Sequence, residues 1–220
     1  MKFIKKSIRK YLFNKIRTKI ELLNFHFKYY SSPEHINYEM FKFVFNMMGQ
    51  NINILETGSS AWGCKSSHLF DNYIKKFGGN FTTVDIRPEA VNSLNNILSH
   101  NSKAVQSDSV AYIQKLNKND IRNLDLVYLD SYDLDIDNPV PAMEHCLNEF
   151  LSLSQDIKKN ALIIIDDTPK KELLKNKIID TEIRNLISSG YGKGNLVLEV
   201  FQDHGFEMIY HEYSVVLRKI

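Results

Sequence analysis

The chain has 220 residues, 43% apolar and 25% charged, with a net charge of +2 and two cysteines. One α/β domain of that size buries a core without staples; Cys64 and Cys146 form neither a disulfide framework nor a metal-finger spacing, and no apolar run approaches the ~20 residues of a membrane span. Residues 1–30 hold nine Lys or Arg and Glu21 as their one acid, so that segment carries +8 and the other 190 residues −6, which argues against a body that binds nucleic acid through a broad positive face.

In the basic leader, Ile4, Ile8, Leu12, Ile16, Ile20, Leu23 and Phe27 recur at steps of three or four, one apolar stripe on a helix ringed by lysines. Such a helix either packs its stripe on the body or meets an anionic membrane surface or acidic partner. It lacks the apolar h-region and cleavage site of a signal peptide. The expected location is therefore cytoplasmic, with peripheral membrane contact through residues 1–30 as the alternative use of the stripe. Pro33 in "SSPEH" closes this segment, and a second helix is predicted over 34–48. The leader and this helix, 1–48, precede an α/β domain over 49–220.

The rest alternates with regularity. Strands are predicted at 52–56, 81–85, 103–106, 124–130 and 161–166, and helices at 64–77, 87–100, 109–118 and 139–157. Gly78-Gly79 ends the first of these helices. The run "ALIIID" is apolar throughout, as in a parallel strand covered on both faces. Residues 170–204 read as helical with a break at "GYGKG". "FEMIYHEYSVVLRKI" holds two β runs with almost nothing between them, hence an antiparallel hairpin. The alternation implies a doubly wound, mostly parallel α/β sheet with an N-terminal helical appendage.

In such a sheet, ligands bind beyond the carboxyl ends of the strands. Those ends carry Glu56 and then Gly58; Asp85; Ser107-Asp108; Asp130 to Asp133; and Asp166-Asp167. An acidic rim suits hydroxyls, amino groups, cations or a metal, and repels phosphates. The loop "ILETGSSAWG" agrees, since it has neither G-x-G-x-x-G nor the P-loop spacing; Cys64 follows Gly63 and Lys65 comes one place late. Taken singly, Gly58 fits a turn glycine, and Asp85 and Asp108 fit helix caps. "DSYDLDIDNP" is not a calcium loop, because Gly is missing at its sixth position and Pro141 stands where the twelfth-position Glu belongs.

"ILETGSSAWG", "TTVDIR", "QSDSVAYI", "LDLVYLD", "NALIIIDD" and "YSVVLRK", in this order, resemble the class I S-adenosylmethionine-dependent methyltransferases over residues 52–220. The resemblance implies a Rossmann-like seven-stranded sheet in the order 3-2-1-4-5-7-6, with S-adenosylmethionine as cofactor. It implies Glu56 at the cofactor's amino group; Gly58, Ser59 and Gly63 along its methionine part; Asp85 and Ile86 at the ribose; Asp108 and Ser109 at the adenine; and Asp130 closing the site. Ser60 and Trp62 depart from the family's E-x-G-x-G-x-G. Asp130, Asp166 and Asp167 resemble the metal acids of the cation-dependent O-methyltransferases, which implies a Mg2+ that stabilises a substrate alkoxide; capping of the turn before Pro169 is the structural alternative. The lysine that serves as base in some of those enzymes is replaced by Asp133. Asp133, His145 and Asp130 are the candidate catalytic groups. "LDSYDLD", "DDTP" and "GKG" are similar to segments of bacterial methyltransferase-like proteins that accompany glycan synthesis, which implies a sugar or small hydroxylated metabolite as acceptor. Lys193, between the glycines of "GYGKG", marks either a mobile lid or substrate contact, or a plain helix-to-helix loop. Two other classes fit the same pattern less well, an NAD(P)-dependent oxidoreductase and a non-catalytic binding module.

Overall fold

A computed structural model describes residues 2–59, 63–175 and 181–220. Its sheet comprises β1 (Ile52–Thr57), β2 (Gly79–Asp85), β3 (Ser102–Gln106), β4 (Leu126–Leu129), β5 (Leu162–Ile165), β6 (Phe206–His211) and β7 (Val215–Lys219). They lie in the order β3-β2-β1-β4-β5-β7-β6. Neighbours from β3 through β5 pair in parallel, and β7 runs antiparallel to both β5 and β6. This is the order the resemblance implied. Strand order reverses at β1, between β2 and β4, so the crevice opens beyond their carboxyl ends.

β4 and β5 are apolar throughout because both faces of the sheet are covered there. Ile54, Tyr128, Ile164 and Val216 face one apolar cluster, and Leu55, Val127, Ile163 and Leu217 face the other, as the two-residue repeat of a strand requires. The first cluster is closed by α2 (Lys19–Tyr29), α3 (Tyr38–Met47) and α4 (Ser66–Phe77). The second is closed by α6 (Ser109–Lys115), α8 (Val140–Ser154) and α10 (Asn195–Val200).

The leader is two helices, not the single one its stripe predicted: α1 (Lys2–Lys15) precedes α2. Thr18 causes the break. Its hydroxyl accepts from Glu21 N at 3.1 Å, and the Glu21 carboxylate accepts from Thr18 N at 3.0 Å, a capping box that restarts the helix. From Leu12 onward the stripe packs inward, with Ile16, Leu23 and Phe27 buried beside Phe41, Phe45, Phe70 and Tyr128. Ile8 stays exposed. Among the described residues no helix is long and apolar enough to cross a membrane.

Other boundaries move for local reasons. The helix predicted from 34 begins at Tyr38, and the turns before it deliver Asn37 to Asp166. The helix predicted over 64–77 starts at Ser66, because Lys65 sits in the left-handed region at φ 55°. α5 (Pro88–Asn95) stops short of 100, where the Asn95 amide exchanges two bonds of 2.9 Å with the backbone of Ala104 on β3. The helix predicted over 109–118 ends at Lys115, and Asn117 caps a new one, α7 (Lys118–Arg122), by accepting from Asp120 N at 3.0 Å. Between β5 and β6 lie a 3-10 turn (Lys171–Lys175), α9 (Thr181–Ser189) and α10; residues 176–180 of the predicted helical stretch lie outside the described residues.

Candidate functional site

The loop after β1 is shaped by contact with the end of β4. Gly58 has φ +75°, and a Cβ there would come within 2.1 Å of the Asp130 carbonyl oxygen. Gly58 N donates to Val84 O at 2.8 Å and Asp130 N to Thr57 O at 2.9 Å, so three strand ends are tied together. Ser59 then turns to Asp85, donating to its Oδ2 from the backbone N (2.9 Å) and from Oγ (2.6 Å). Arg87 supplies three more donors: N and Nε to Oδ1 at 2.8 and 2.9 Å, and Nη2 to Oδ2 at 2.7 Å. Burial pushes the Asp85 carboxyl up, but Arg87 and Ser59 outweigh it and hold the group well below the usual carboxylate range.

The far side of this loop is gripped by the leader. Ser31 Oγ donates to Gly63 O at 2.6 Å, and His26 Nε2 lies 2.7 Å from Cys64 O. Burial pushes His26 down to about 4, so the neutral imidazole carries its proton on Nε2 and donates it. Ser60 and Trp62 lie outside the described residues.

Glu56 is closed to solvent between β1 and α4. Ser67 Oγ donates to its Oε2 at 2.5 Å. Burial pushes its carboxyl up to about 7, against the pull of the Ser66, Ser67 and Thr83 hydroxyls. The unfolded chain releases this proton near its ordinary pKa, and the folded chain holds it until about 7. Stability therefore falls as pH rises through that interval. Glu56→Gln is expected to cancel the fall: between pH 5 and pH 8 the variant should gain roughly 2–3 kcal/mol on the wild type, measured by urea unfolding. A stability difference that does not change with pH would refute it.

The three acids of the second half do not meet at one point. Asp166 continues the inward parity of Ile164 and faces the first apolar cluster. There its Oδ1 accepts from Ser214 Oγ (2.6 Å), Asn37 Nδ2 (3.1 Å) and Asp167 N (3.0 Å), and its Oδ2 from Asn37 Nδ2 (3.0 Å) and the Tyr128 hydroxyl. Those donors fill the carboxylate. The next residue, Asp167, has φ 44° and turns the other way, taking a 2.6 Å bond from Tyr213 OH on Oδ1. Lys193 stands between Asp167 and Asp130: its Nζ is 3.0 Å from Asp167 Oδ2 and 2.5 Å from Asp130 Oδ1. Burial works against that ammonium, but Asp130 and Asp167 overcome it and hold its pKa well above the ordinary lysine value. The three acids thus do not fit a shared Mg2+, since one is turned away and a cation of the protein joins the other two. Among the described residues no group of His, Cys, Asp and Glu is arranged to hold a metal.

The remaining candidates are scattered around the rim. Asp108 caps α6, accepting from Ala111 N at 2.8 Å. Ile86 and Asp133 are exposed. His145 Nε2 lies 2.8 Å from Ser109 Oγ and 3.6 Å from the buried Glu149 carboxylate, which raises its pKa. It is thereby engaged between α6 and α8. Arg87, Asn37, Tyr213 and Ser214 went unread in the sequence. For Arg87 a signal existed, since a basic side chain two places after a strand-ending acid can fold back on it. Asn37 and Ser214 are 177 residues apart and leave no local trace.

No protein-family model and no curated protein matches the chain by sequence; its likenesses are structural. The MycE methyltransferase of the mycinamycin biosynthetic pathway, in complex with Mg and SAH, aligns with a TM-score of 0.61 at 14% identity, over 93% of this chain and 55% of its own. Human N-acetylserotonin methyltransferase in complex with SAM gives 0.52 at 14%, over 92% of this chain and 57% of its own. An O-methyltransferase from Bacillus cereus in complex with SAH gives 0.52 at 14%, over 97% of each chain. The chain thus spans little more than half the length of the first two. What these likenesses establish is the fold of the class I S-adenosylmethionine-dependent methyltransferases.

Proposed function

On this fold, we propose that the chain is an S-adenosylmethionine-dependent methyltransferase acting on an oxygen of a small hydroxylated molecule, a sugar or a metabolite. Asp85 is the observation that carries the reading. It ends β2 beside the Gly58 loop, it is ionised, and it is satisfied only by donors. A ribose brings two hydroxyl donors of the kind Arg87 now supplies, and the Arg87 side chain is 56% exposed, free to exchange its bonds for water. When bound, the cofactor supplies a methyl group on a positively charged sulfonium. Ser59 keeps Asp85 ionised and aimed, the bare Gly58 lets β1 and β4 end in contact, and an acidic rim favours a cation over a phosphate. Of the three candidate bases, Asp130 is the one whose backbone adjoins Gly58, so proton removal from the acceptor is assigned to its carboxylate.

For the leader we propose packing as the principal role, because α2 is committed to the core and His26 and Ser31 hold the loop carbonyls. An oxidoreductase reading draws no support from a loop without the dinucleotide glycines. The test is titration calorimetry with S-adenosylhomocysteine, in Mg2+ and in EDTA. Micromolar binding in both buffers is expected. No binding in either, with the protein folded, would leave a binding module on a methyltransferase-like scaffold.

A further inference from the structure

We propose that Lys193 is a tethered cation standing where Asp130 and Asp167 would otherwise take a divalent metal, so that the methyl acceptor meets one fixed ammonium N–H instead of a metal ion. The acceptor half of this statement rests on the methyltransferase reading; the cation half stands on geometry alone. Both carboxylate oxygens lie within 3.0 Å of the same nitrogen, which is how two ligands converge on one ion.

The loop carrying Lys193 is built to lie flush on the end of β5. A Cβ at Gly192 would come within 2.8 Å of Thr168 Cα and 3.0 Å of Asp167 O. One at Gly194 would come within 2.8 Å of Thr168 Oγ1 and 3.0 Å of Ile165 Cγ2. Lys193 N donates to Asp167 O at 2.9 Å, and Gly194 N to Thr168 Oγ1 at 2.9 Å; Thr168 Oγ1 in turn donates to Asp166 O at 2.9 Å. With Lys193 only 3% exposed, this is a strapped loop between α9 and α10, as the helix-to-helix reading had it, and not a mobile lid.

Charge makes the arrangement exclusive. A buried ammonium is tolerated only when paired, so Lys193 needs both carboxylates. A divalent ion in the same place would sit against a second positive charge that has nowhere to go. It would also find only two protein acids, because Asp166 is filled by Asn37, Tyr128 and Ser214. An ammonium has three donors; with two spent, one remains. A hydrated metal ion offers several open positions and can chelate neighbouring oxygens. The single remaining donor engages one oxygen, which selects an acceptor read through a lone hydroxyl over one gripped as a vicinal pair.

The test uses Mn2+ alone as probe, with water-proton relaxation as readout, on the full chain, on Lys193→Met and on Lys193→Met/Asp130→Asn. Expected is Mn2+ binding to Lys193→Met at least tenfold tighter than to the wild type, lost again in the double variant. Wild-type binding as tight as that of Lys193→Met would overturn the proposal, as would no gain in the variant. If Lys193→Met melts early, a rise in its Tm with Mn2+ supports the proposal and no rise overturns it. S-adenosylhomocysteine titrated into the same samples in EDTA reads the methyltransferase assignment separately. Its failure would remove the acceptor role and leave the Mn2+ result standing.

Discussion

Gly58→Ala is expected to leave the protein on the edge of unfolding, with a loss of roughly 4 kcal/mol or more and a fall in Tm of about 10–15 °C. Two costs combine. Alanine at φ +75° pays about 1–2 kcal/mol for the left-handed backbone. Its Cβ would also lie 2.1 Å from Asp130 O, 2.6 Å from Asp130 C and 2.7 Å from Ser131 Cα. These are backbone atoms, so no rotamer relieves the clash. The ends of β1 and β4 must separate, and the bond from Asp130 N to Thr57 O goes with them. Against a total stability of about 5–15 kcal/mol such a loss is large. Thermal melts by circular dichroism decide it: a Tm within about 2 °C of wild type would show that the crossing is not tight.

Asp85→Asn should leave a folded protein that binds S-adenosylhomocysteine roughly 100-fold more weakly. The substitution keeps the volume and one acceptor, and removes the charge that two ribose hydroxyls would bond. Hydrogen bonds to a charged group are worth about 1.5–3 kcal/mol each, so losing most of two gives about 2.7 kcal/mol, or two decades in Kd. Folding suffers less, because the Arg87 partner is more than half exposed and such pairs stabilise little. Arg87→Ala is the control. It frees the carboxylate without removing it, so its affinity should equal or exceed the wild type's. Unchanged binding by Asp85→Asn in calorimetry would show that this acid does not hold the ribose.

The strands were legible because a doubly covered sheet leaves near-continuous apolar runs and a tight hairpin leaves almost nothing between its strands, whereas their order followed from the family resemblance. β4 and β5 are buried at every position, and "LVYL" and "LIII" announce it. The break at Thr18 had a signal in "TKIE", a capping box, which the uninterrupted stripe around it masked. The site was less legible, because strand ends obey no periodicity. Asp166 and Asp167 are adjacent and chemically alike, yet a single left-handed residue sends them to opposite surroundings. Lys193 stood out between its glycines, but its partner Asp130 lies 63 residues away. The glycines fitted either a lid or a plain loop in sequence, and the structure uses their missing side chains for close approach.

The position of β7 sets when this protein can become itself. It is the last strand of the sheet to be synthesised, yet it lies inside the sheet, between β5 and β6. While a ribosome is still adding it, β5 has an open edge and Asp166 lacks its Ser214 donor. Phe25, Phe27, Phe41 and Phe45 share their core with Val216, which is made long after them. Those aromatic side chains remain without that partner until β7 emerges, and exposed apolar surface and unpaired edges favour aggregation meanwhile. The core, the aspartate network around Asn37 and the sheet edge therefore close together, only after the hairpin strand has emerged.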